Sequence, residues 1–158
     1  MRLRLLLVMA CIMVVADACD PVRSNAVAAL GGEAPGVPHG PLHRPGQPCL
    51  LCHGNFSVAG TVFVDPLNRD PAVGVTVNLT DSQGHVFSDT TNEAGNFFVT
   101  PEQFAPVYPM KVALQYNGMT VNMTANVGRD GACAMCHSDP VSPSSPGHVY
   151  TPADGGTP

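Results

Sequence analysis

The stretch YPMKVALQYNGMTVNMTANV, residues 108–127, contains two runs of alternating apolar and polar side chains on either side of Asn117-Gly118. Strict alternation places every second side chain on the same face of a β-strand. Asn-Gly between two such runs tolerates the positive φ angles of a two-residue turn and is a strong hairpin signal. The stretch therefore predicts an antiparallel hairpin with one apolar face. That face comprises Tyr108, Met110, Val112, Leu114, Tyr116, Met119, Val121, Met123, Ala125 and Val127.

Similar alternation continues towards the N-terminus, in VAGTVFV (58–64) and VGVTVNL (73–79). The turns DSQG and NEAG combine Asp or Asn with Gly, and each leads into a further short run, HVFSDTT or NFFVT. Short strands between such turns predict a mainly β fold, a single antiparallel β-sandwich of about six or seven strands over residues 56–127. The expected inward-facing positions are Val58, Gly60, Val62, Val64, Val73, Val75, Val77 and Leu79.

The segments VAGTVF, PAVGVTVNLTDSQG and TTNEAGNFFV, taken in order, resemble the carboxypeptidase regulatory-like domains. These domains are small immunoglobulin- or transthyretin-like sandwiches that accompany many exported bacterial proteins. The resemblance covers roughly residues 57–127. It implies a non-catalytic spacer or binding module, so the function has to come from specific residues rather than from the fold.

The composition agrees with a turn-rich fold. The chain has 16 Gly, 16 Pro and no Trp in 158 residues, a length that suits one domain. Prolines at positions 35, 38, 41, 45 and 48 predict that residues 20–48 run extended or in turns. The predicted organisation is a Pro/Gly-rich segment over 19–55, the sandwich over 56–127, and a segment over 128–158 that ends in a mobile tail.

The N-terminus, MRLRLLLVMACIMVVADAC, has two arginines, an apolar run and the small-x-small sequence Ala16-Asp17-Ala18. This pattern predicts a signal peptide over residues 1–18 and an exported protein of the periplasm or cell surface. Cleavage would leave Cys19 at the new N-terminus, where a bacterial lipoprotein carries its lipid. The likeness is partial, because lipoprotein signals prefer Leu in place of Ala16 and a small uncharged residue in place of Asp17. Cys19 is a candidate lipid anchor, and a free secreted form is the alternative.

The predicted mature chain is acidic. Without Arg2, Arg4 and Asp17, five Lys and Arg of the original seven face eleven Asp and Glu of the original twelve, which gives a charge of −6. This charge argues against nucleic acid or an anionic membrane surface as a partner. Contact with a membrane is expected only through an N-terminal lipid.

A five-residue pattern occurs twice, as CLLCH at 49–53 and as CAMCH at 133–137. Cys-x-x-Cys-His is the signature of covalent c-type haem attachment. The two thiols form thioethers with the porphyrin vinyl groups, and the histidine that follows binds the iron from the proximal side. This attachment takes place outside the cytoplasmic membrane, which agrees with the predicted export. Two haem c groups are predicted, with Cys49, Cys52, Cys133 and Cys136 as thioether residues and His53 and His137 as proximal iron ligands.

Two other interpretations of the cysteines stay open. The two pairs would supply four zinc ligands, but 80 residues separate Cys52 from Cys133, where about 15 to 20 are usual, and zinc does not explain the two histidines. Each pair would instead form a disulfide, although neither lies in a thioredoxin-type βαβ unit. Under either alternative the protein is a non-redox surface sandwich for binding or assembly.

The second axial ligand of each iron sets much of its potential, since methionine raises the potential and a second histidine leaves it lower. His43 lies ten residues before His53 on a proline-rich loop, and His148 lies eleven residues after His137 across another. These two histidines are the predicted distal ligands, which makes both haems bis-histidine and low-spin. The strand methionines are interpreted as core residues. Two further histidines are interpreted as surface residues, namely His39 and His85.

With both motifs, the chain resembles a small dihaem cytochrome c of the multihaem kind, in which the sandwich separates two haem segments. The resemblance implies electron transfer with redox protein partners, such as other cytochromes or further copies of the chain. An enzyme, such as a haem peroxidase or a nitrite-reducing haem protein, is not expected, because it needs an iron with an open coordination site. The distance between the haems stays open. An odd number of alternating strands would separate the motifs by about 23 to 30 Å, and an even number would bring them together.

Overall fold

The computed structural model describes residues 20–152 apart from positions 34, 38 and 68. The predicted signal peptide, the candidate lipid anchor Cys19 and residues 153–158 of the predicted tail lie outside the described residues. The chain divides into two compact units, residues 1–31 and 32–158. None of the helices that the structure describes has the length and hydropathy needed to cross a membrane.

The described part of the first unit contains helix α1 (Pro21–Ala29). Asp20 caps this helix, because one of its carboxylate oxygens accepts the backbone N–H groups two and three residues later, at 3.1 and 3.0 Å. Pro21 occupies the first helical position, where a proline costs no hydrogen bond. The helix differs from the extended chain and turns expected over 20–48, since the prolines that block helix formation begin only at Pro35.

The second unit is mainly β, as predicted. Two 3₁₀ turns, Cys49–Leu51 and Cys133–Met135, begin at the first cysteine of the two repeated motifs. Among the described residues there are eight strands rather than six or seven, because two of them are only two residues long. The strands are β1 (Val58–Phe63), β2 (Thr76–Thr80), β3 (Val86–Thr90), β4 (Asn96–Val99), β5 (Lys111–Tyr116), β6 (Met119–Asn122), β7 (Gly131–Ala132) and β8 (Val149–Tyr150).

The strands form two four-stranded sheets. One sheet has the order β3-β2-β5-β6 and is antiparallel throughout. Its β5–β6 pair is the hairpin that the sequence predicts, with Asn117 and Gly118 in the turn at φ angles of 48° and 78°. In the other sheet, β1 pairs antiparallel with β4 and parallel with both β7 and β8.

A single hydrophobic core contains side chains from both sheets. Alternate strand positions face this core, which confirms most of the predicted inward rows. The prediction is wrong for Val64 and Val73, which are 39% and 50% exposed, and for exposed Ala125, because all three lie beyond strand ends. The largest fully buried side chains are Leu79, Met110, Val58, Val62, Val75, Val77 and Val99.

Strand β1 is buried along its whole length, although its alternation indicates a half-buried strand. The loop before the first motif covers part of it, since the backbone N–H of Gly46 donates to Thr61 Oγ1 at 2.7 Å. The segment after the second motif covers another part, since the His148 ring packs against Phe63 with 4.8 Å between centroids. Both segments outside the predicted sandwich of residues 56–127 therefore pack onto this one strand.

Part of the predicted mobile tail is ordered by the same strand. Val149 and Tyr150 form β8, opposite Val62 and Phe63 of β1. The backbone N–H of Thr151 then donates to the Phe63 carbonyl oxygen at 2.9 Å. Backbone pairing with a buried strand holds these residues, and the sequence pattern of a two-residue strand is too short to predict it.

Candidate functional site

The two repeated motifs have the same backbone conformation. In each, the carbonyl oxygen of the first cysteine accepts hydrogen bonds from the N–H groups of the second cysteine and of the histidine. These bonds measure 3.1 and 2.9 Å in the first motif and 3.1 and 2.8 Å in the second. Since one turn separates the first cysteine from the histidine, their side chains lie on the same face of the turn. The repeated sequence therefore corresponds to a repeated local structure.

All four motif cysteines are free thiols. Cys52 and Cys136 are exposed, whereas Cys49 and Cys133 are partly buried. Each of the two sheltered thiols donates to the carbonyl oxygen two residues earlier, at 3.4 Å for Cys49 and 3.7 Å for Cys133. Burial raises the pKa of Cys49. Burial also raises the pKa of Cys133 to about 12, and repulsion from the Cys49 thiolate adds to that rise.

The second motif is positioned by β7. This strand pairs in parallel with the start of β1, with Ala132 opposite Ala59, so the next residue, Cys133, lies beside Gly60. A Cβ atom built at Gly60 would lie 2.8 Å from Cβ and 3.1 Å from Sγ of Cys133. Glycine is needed here because any side chain would displace the cysteine. The alternation of β1 predicts only that Gly60 faces inward, because no local pattern indicates its contact with Cys133.

At the first motif, the rings of His43 and His53 lie 5.5 Å apart between centroids, with 65° between their planes. His43 Nδ1 is hydrogen-bonded to the Gly40 carbonyl oxygen, which leaves Nε2 as the other ring nitrogen. Metal-binding histidines commonly donate their second N–H to a carbonyl in this way. Cys49, Cys52 and His53, with His43 beside them, are therefore residues that would fit a haem.

The loop that carries His43 is anchored to β1 and β4. Asn96 of β4 donates from Nδ2 to the carbonyl oxygens of Pro41 and His43, at 3.2 and 3.1 Å. Thr61 of β1 donates to Asn96 Oδ1 and accepts the backbone N–H of Gly46, both at 2.7 Å. Sequence reasoning missed these residues. The sequence feature that could have indicated them is a polar side chain in a short apolar strand, because a buried polar group needs a hydrogen-bond partner.

His53 is also in contact with an aromatic column. Its ring stacks on Phe56 with 5.0 Å between centroids, and Phe56 stacks on Phe98 of β4 with 5.1 Å between centroids. The column connects the histidine of the first motif to the same sheet that anchors the His43 loop. The rings of His43 and His53 are therefore both oriented through contacts with β4 and its neighbours.

The histidine of the second motif has a similar hydrogen bond. His137 Nδ1 lies 3.1 Å from the carbonyl oxygen of Gly147, so Nε2 is the nitrogen available for an iron. The residues of this motif therefore fit a haem at the two thioether positions and on the proximal side.

His148, the predicted distal ligand of the second haem, contacts strand β1 and Asp139. Its ring packs on Phe63, and its Nε2 lies 3.7 Å from a carboxylate oxygen of Asp139, which also pairs with Arg69 at 2.5 Å. A Cβ built at Gly46 would lie 3.1 Å from His148 Cε1. The structure thus brings His148 beside the loop of the first motif.

The two remaining histidines lie at the surface. His39 is exposed. The His85 side chain is 66% exposed and pairs with Asp81 through Nδ1 at 3.0 Å. The pairing of His85 with Asp81 does not involve either Cys-x-x-Cys-His motif.

No family model, curated protein or solved structure matches this chain. The resemblances to carboxypeptidase regulatory-like domains and to dihaem cytochromes therefore rest on the strand segments of residues 57–127 and on the two Cys-x-x-Cys-His motifs. Among the residues that the structure describes, no three His, Cys, Asp or Glu side chains converge as a metal-binding group. A haem iron takes only one or two ligands from the protein, so haem attachment depends on the motifs rather than on such a cluster.

Proposed function

We propose that this protein is an exported electron-transfer cytochrome c with two covalently attached haems. The observation that carries the proposal is the repeated motif. Cys-x-x-Cys-His occurs twice, both copies form the same single turn, and all four thiols are free. A single copy would be a weaker signal, since isolated pairs of cysteines serve several purposes.

The chain's own residues bind and orient the haems. Cys49 and Cys52 hold one haem and Cys133 and Cys136 the other, with His53 and His137 as proximal ligands. His43 would complete the first site through Nε2, because its Nδ1 is hydrogen-bonded to a backbone carbonyl. When bound, each haem supplies a one-electron couple at its iron, and the protein tunes that couple through ligands and burial.

The setting of the proposed function is a bacterial periplasm or cell surface, with Cys19 as a lipid anchor. The partners are redox proteins, among them other cytochromes or further copies of this chain. The acidic surface favours a partner with a basic docking face, and salt weakens such an encounter. The protein is an electron carrier rather than an enzyme.

The proposal is tested by a visible spectrum and an intact mass of the matured protein. We expect a Soret band, a positive pyridine haemochrome assay and the added mass of two haems. The double variants Cys49→Ala/Cys52→Ala and Cys133→Ala/Cys136→Ala are each expected to lose the mass of one haem. Met135→Ala is the matched control, because Met135 lies inside the second motif, is 54% exposed and is no part of the signature.

A folded, fully matured protein without a Soret band would overturn the proposal. Stoichiometric zinc in that protein, lost in either cysteine double variant, would instead support the structural sandwich with a zinc site. Intramotif disulfides found by mass mapping would support the disulfide form of the same alternative.

A further inference from the structure

We infer that the two motifs form one coupled unit, in which a single molecule passes an electron between its own two haem sites. This inference rests on the proposed function. It concerns the arrangement of the sites, which the motifs alone do not determine. A sandwich of about 70 residues between two motifs would separate them widely if its strands simply alternated, each strand being about 20 Å long.

The topology brings the motifs together instead. Strand β1 begins five residues after His53, and β7 ends at the residue before Cys133. The two strands are direct neighbours and parallel, with Ala59 opposite Ala132. Paired strands lie about 5 Å apart. The chain therefore leaves one motif and reaches the other along the same part of one sheet.

Contacts between the motifs agree with this pairing. The 3₁₀ turn of the first motif contacts β7 as well as β1. Leu50 of that turn and Gly131 of β7 line the same shallow cleft, of about 340 Å³. The first motif's turn begins at Cys49, and β7 leads directly into Cys133. The first thioether residue of each motif thus lies in a shared environment.

A second bridge connects the loops around the motifs. The His43 loop contacts His148, which follows the second motif, because a Cβ at Gly46 would lie 3.1 Å from His148 Cε1. Phe63 of β1 packs against both, lying 4.8 Å from the His148 ring and in contact range of Gly46. Segments from either end of the second unit therefore meet over one strand.

The consequence is intramolecular exchange. With a haem bound at each motif, a ferrous iron at one site would give one electron to a ferric iron at the other, so the exchange would balance within the molecule. A positive charge at one iron also disfavours oxidation of its neighbour in a medium of low dielectric constant. Each site therefore responds to the oxidation state of the other.

The test is circular dichroism in the Soret region of wild type and of the two cysteine double variants, each carrying one haem. The electronic transitions of two neighbouring haems couple with each other. We therefore expect the wild-type spectrum to show a Soret band with one positive and one negative lobe (a two-signed band), which differs from the sum of the spectra of the two variants. The band should persist on tenfold dilution, because the coupling is intramolecular. The Met135→Ala protein should give the wild-type band.

Wild-type dichroism equal to the sum of the single-haem variants would overturn the inference, and so would a two-signed band that disappears on dilution. Both outcomes leave the proposed function intact, since two haems are present. Loss of all haem would instead count against the proposed function itself.

If a double variant does not fold, wild type alone answers the question by electron paramagnetic resonance. Magnetic coupling is expected to broaden the low-spin ferric signals of the oxidised protein and to vanish on half-reduction. Two sharp, independent ferric signals that together account for both haems would overturn the inference.

Discussion

Under the proposed function, His43 and His53 are the residues that decide the chemistry of the first haem. Their rings are 5.5 Å apart, and the peptide carbonyl at Gly40 orients His43. The sulfur of a methionine ligand stabilises ferrous iron more than the imidazole of a histidine does. We therefore expect His43→Met to raise the reduction potential of one haem more than that of the other, as measured by spectroelectrochemical titration.

His39→Met is the matched control, because His39 is an exposed histidine of the same proline-rich segment. It should leave both potentials at their wild-type values. An unchanged pair of potentials in His43→Met would remove His43 from the first site.

Asp81 makes the fold sensitive to acid through its own hydrogen bonds. Burial alone would raise its pKa, but hydrogen bonds from His85 and from the backbone N–H groups of Val107, His85 and Gln83 outweigh burial and lower the pKa from 3.8 to about 2. A carboxyl with a depressed pKa in the folded state stabilises the fold above pH 3.8. That contribution is lost as the pH falls towards 2.

We expect Asp81→Asn to lower the melting temperature at pH 6, because the amide group cannot accept all of these bonds. The difference from wild type should shrink as the pH falls from about 4 to about 2. Asp70→Asn, at an exposed aspartate, is the control and should melt like wild type. A difference in melting temperature between Asp81→Asn and wild type that stays constant throughout this pH range would contradict the assignment.

Among the elements, β1 is the one that supports both motifs. Gly60 in this strand has no room for a side chain, since an added Cβ would lie 2.8 Å from Cys133 Cβ and 3.0 Å from Phe97 Cε1. We expect Gly60→Ala to destabilise the fold by about 1 to 3 kcal/mol through overpacking. Denaturant unfolding measures this loss, and the mass of the matured protein reports whether the second haem is still attached.

Gly128→Ala is the control for that variant, because no atom lies within 4 Å of a Cβ built at Gly128. It should unfold at the wild-type midpoint. Equal stability of Gly60→Ala and wild type would show that Cys133 does not pack on β1 as described.

The elements also differ in how well a sequence pattern predicts them. The β5–β6 hairpin follows from alternation and from Asn117-Gly118, because both signals are local. Helix α1 was missed, since the proline-rich composition of residues 20–48 outweighed the single capping residue Asp20. Strands β7 and β8 were missed because two residues carry no period, and they exist only by pairing with β1.

At the level of the whole molecule, the sandwich is not confined to residues 56–127. Without β7, β8 and the loop around Gly46, strand β1 would lose parallel partners and the cover over Phe63. Exposure of Phe63 alone costs about 2 to 3 kcal/mol. We expect the fragment 56–127 to melt well below the fragment 32–152, as measured by far-ultraviolet circular dichroism.

Fragment 32–152 is the control, because it retains every strand that the structure describes in the second unit. Equal melting temperatures for the two fragments would mean that residues 56–127 are an independent domain. The segments before and after it, which carry the two motifs, would then contribute nothing to the stability of the sheet.

The sequence alone predicts the β class and the hairpin, and it contains the two Cys-x-x-Cys-His motifs and the histidines to consider as ligands. These depend on local chemistry, namely side-chain period, turn residues and fixed spacing within five positions. The tertiary structure alone decided that β1 and β7 pair, that His43 faces His53, and that His148 packs on Phe63 beside the first motif's loop. Those contacts join residues that are distant in the chain, and no local pattern specifies which strand edge a distant segment will bind.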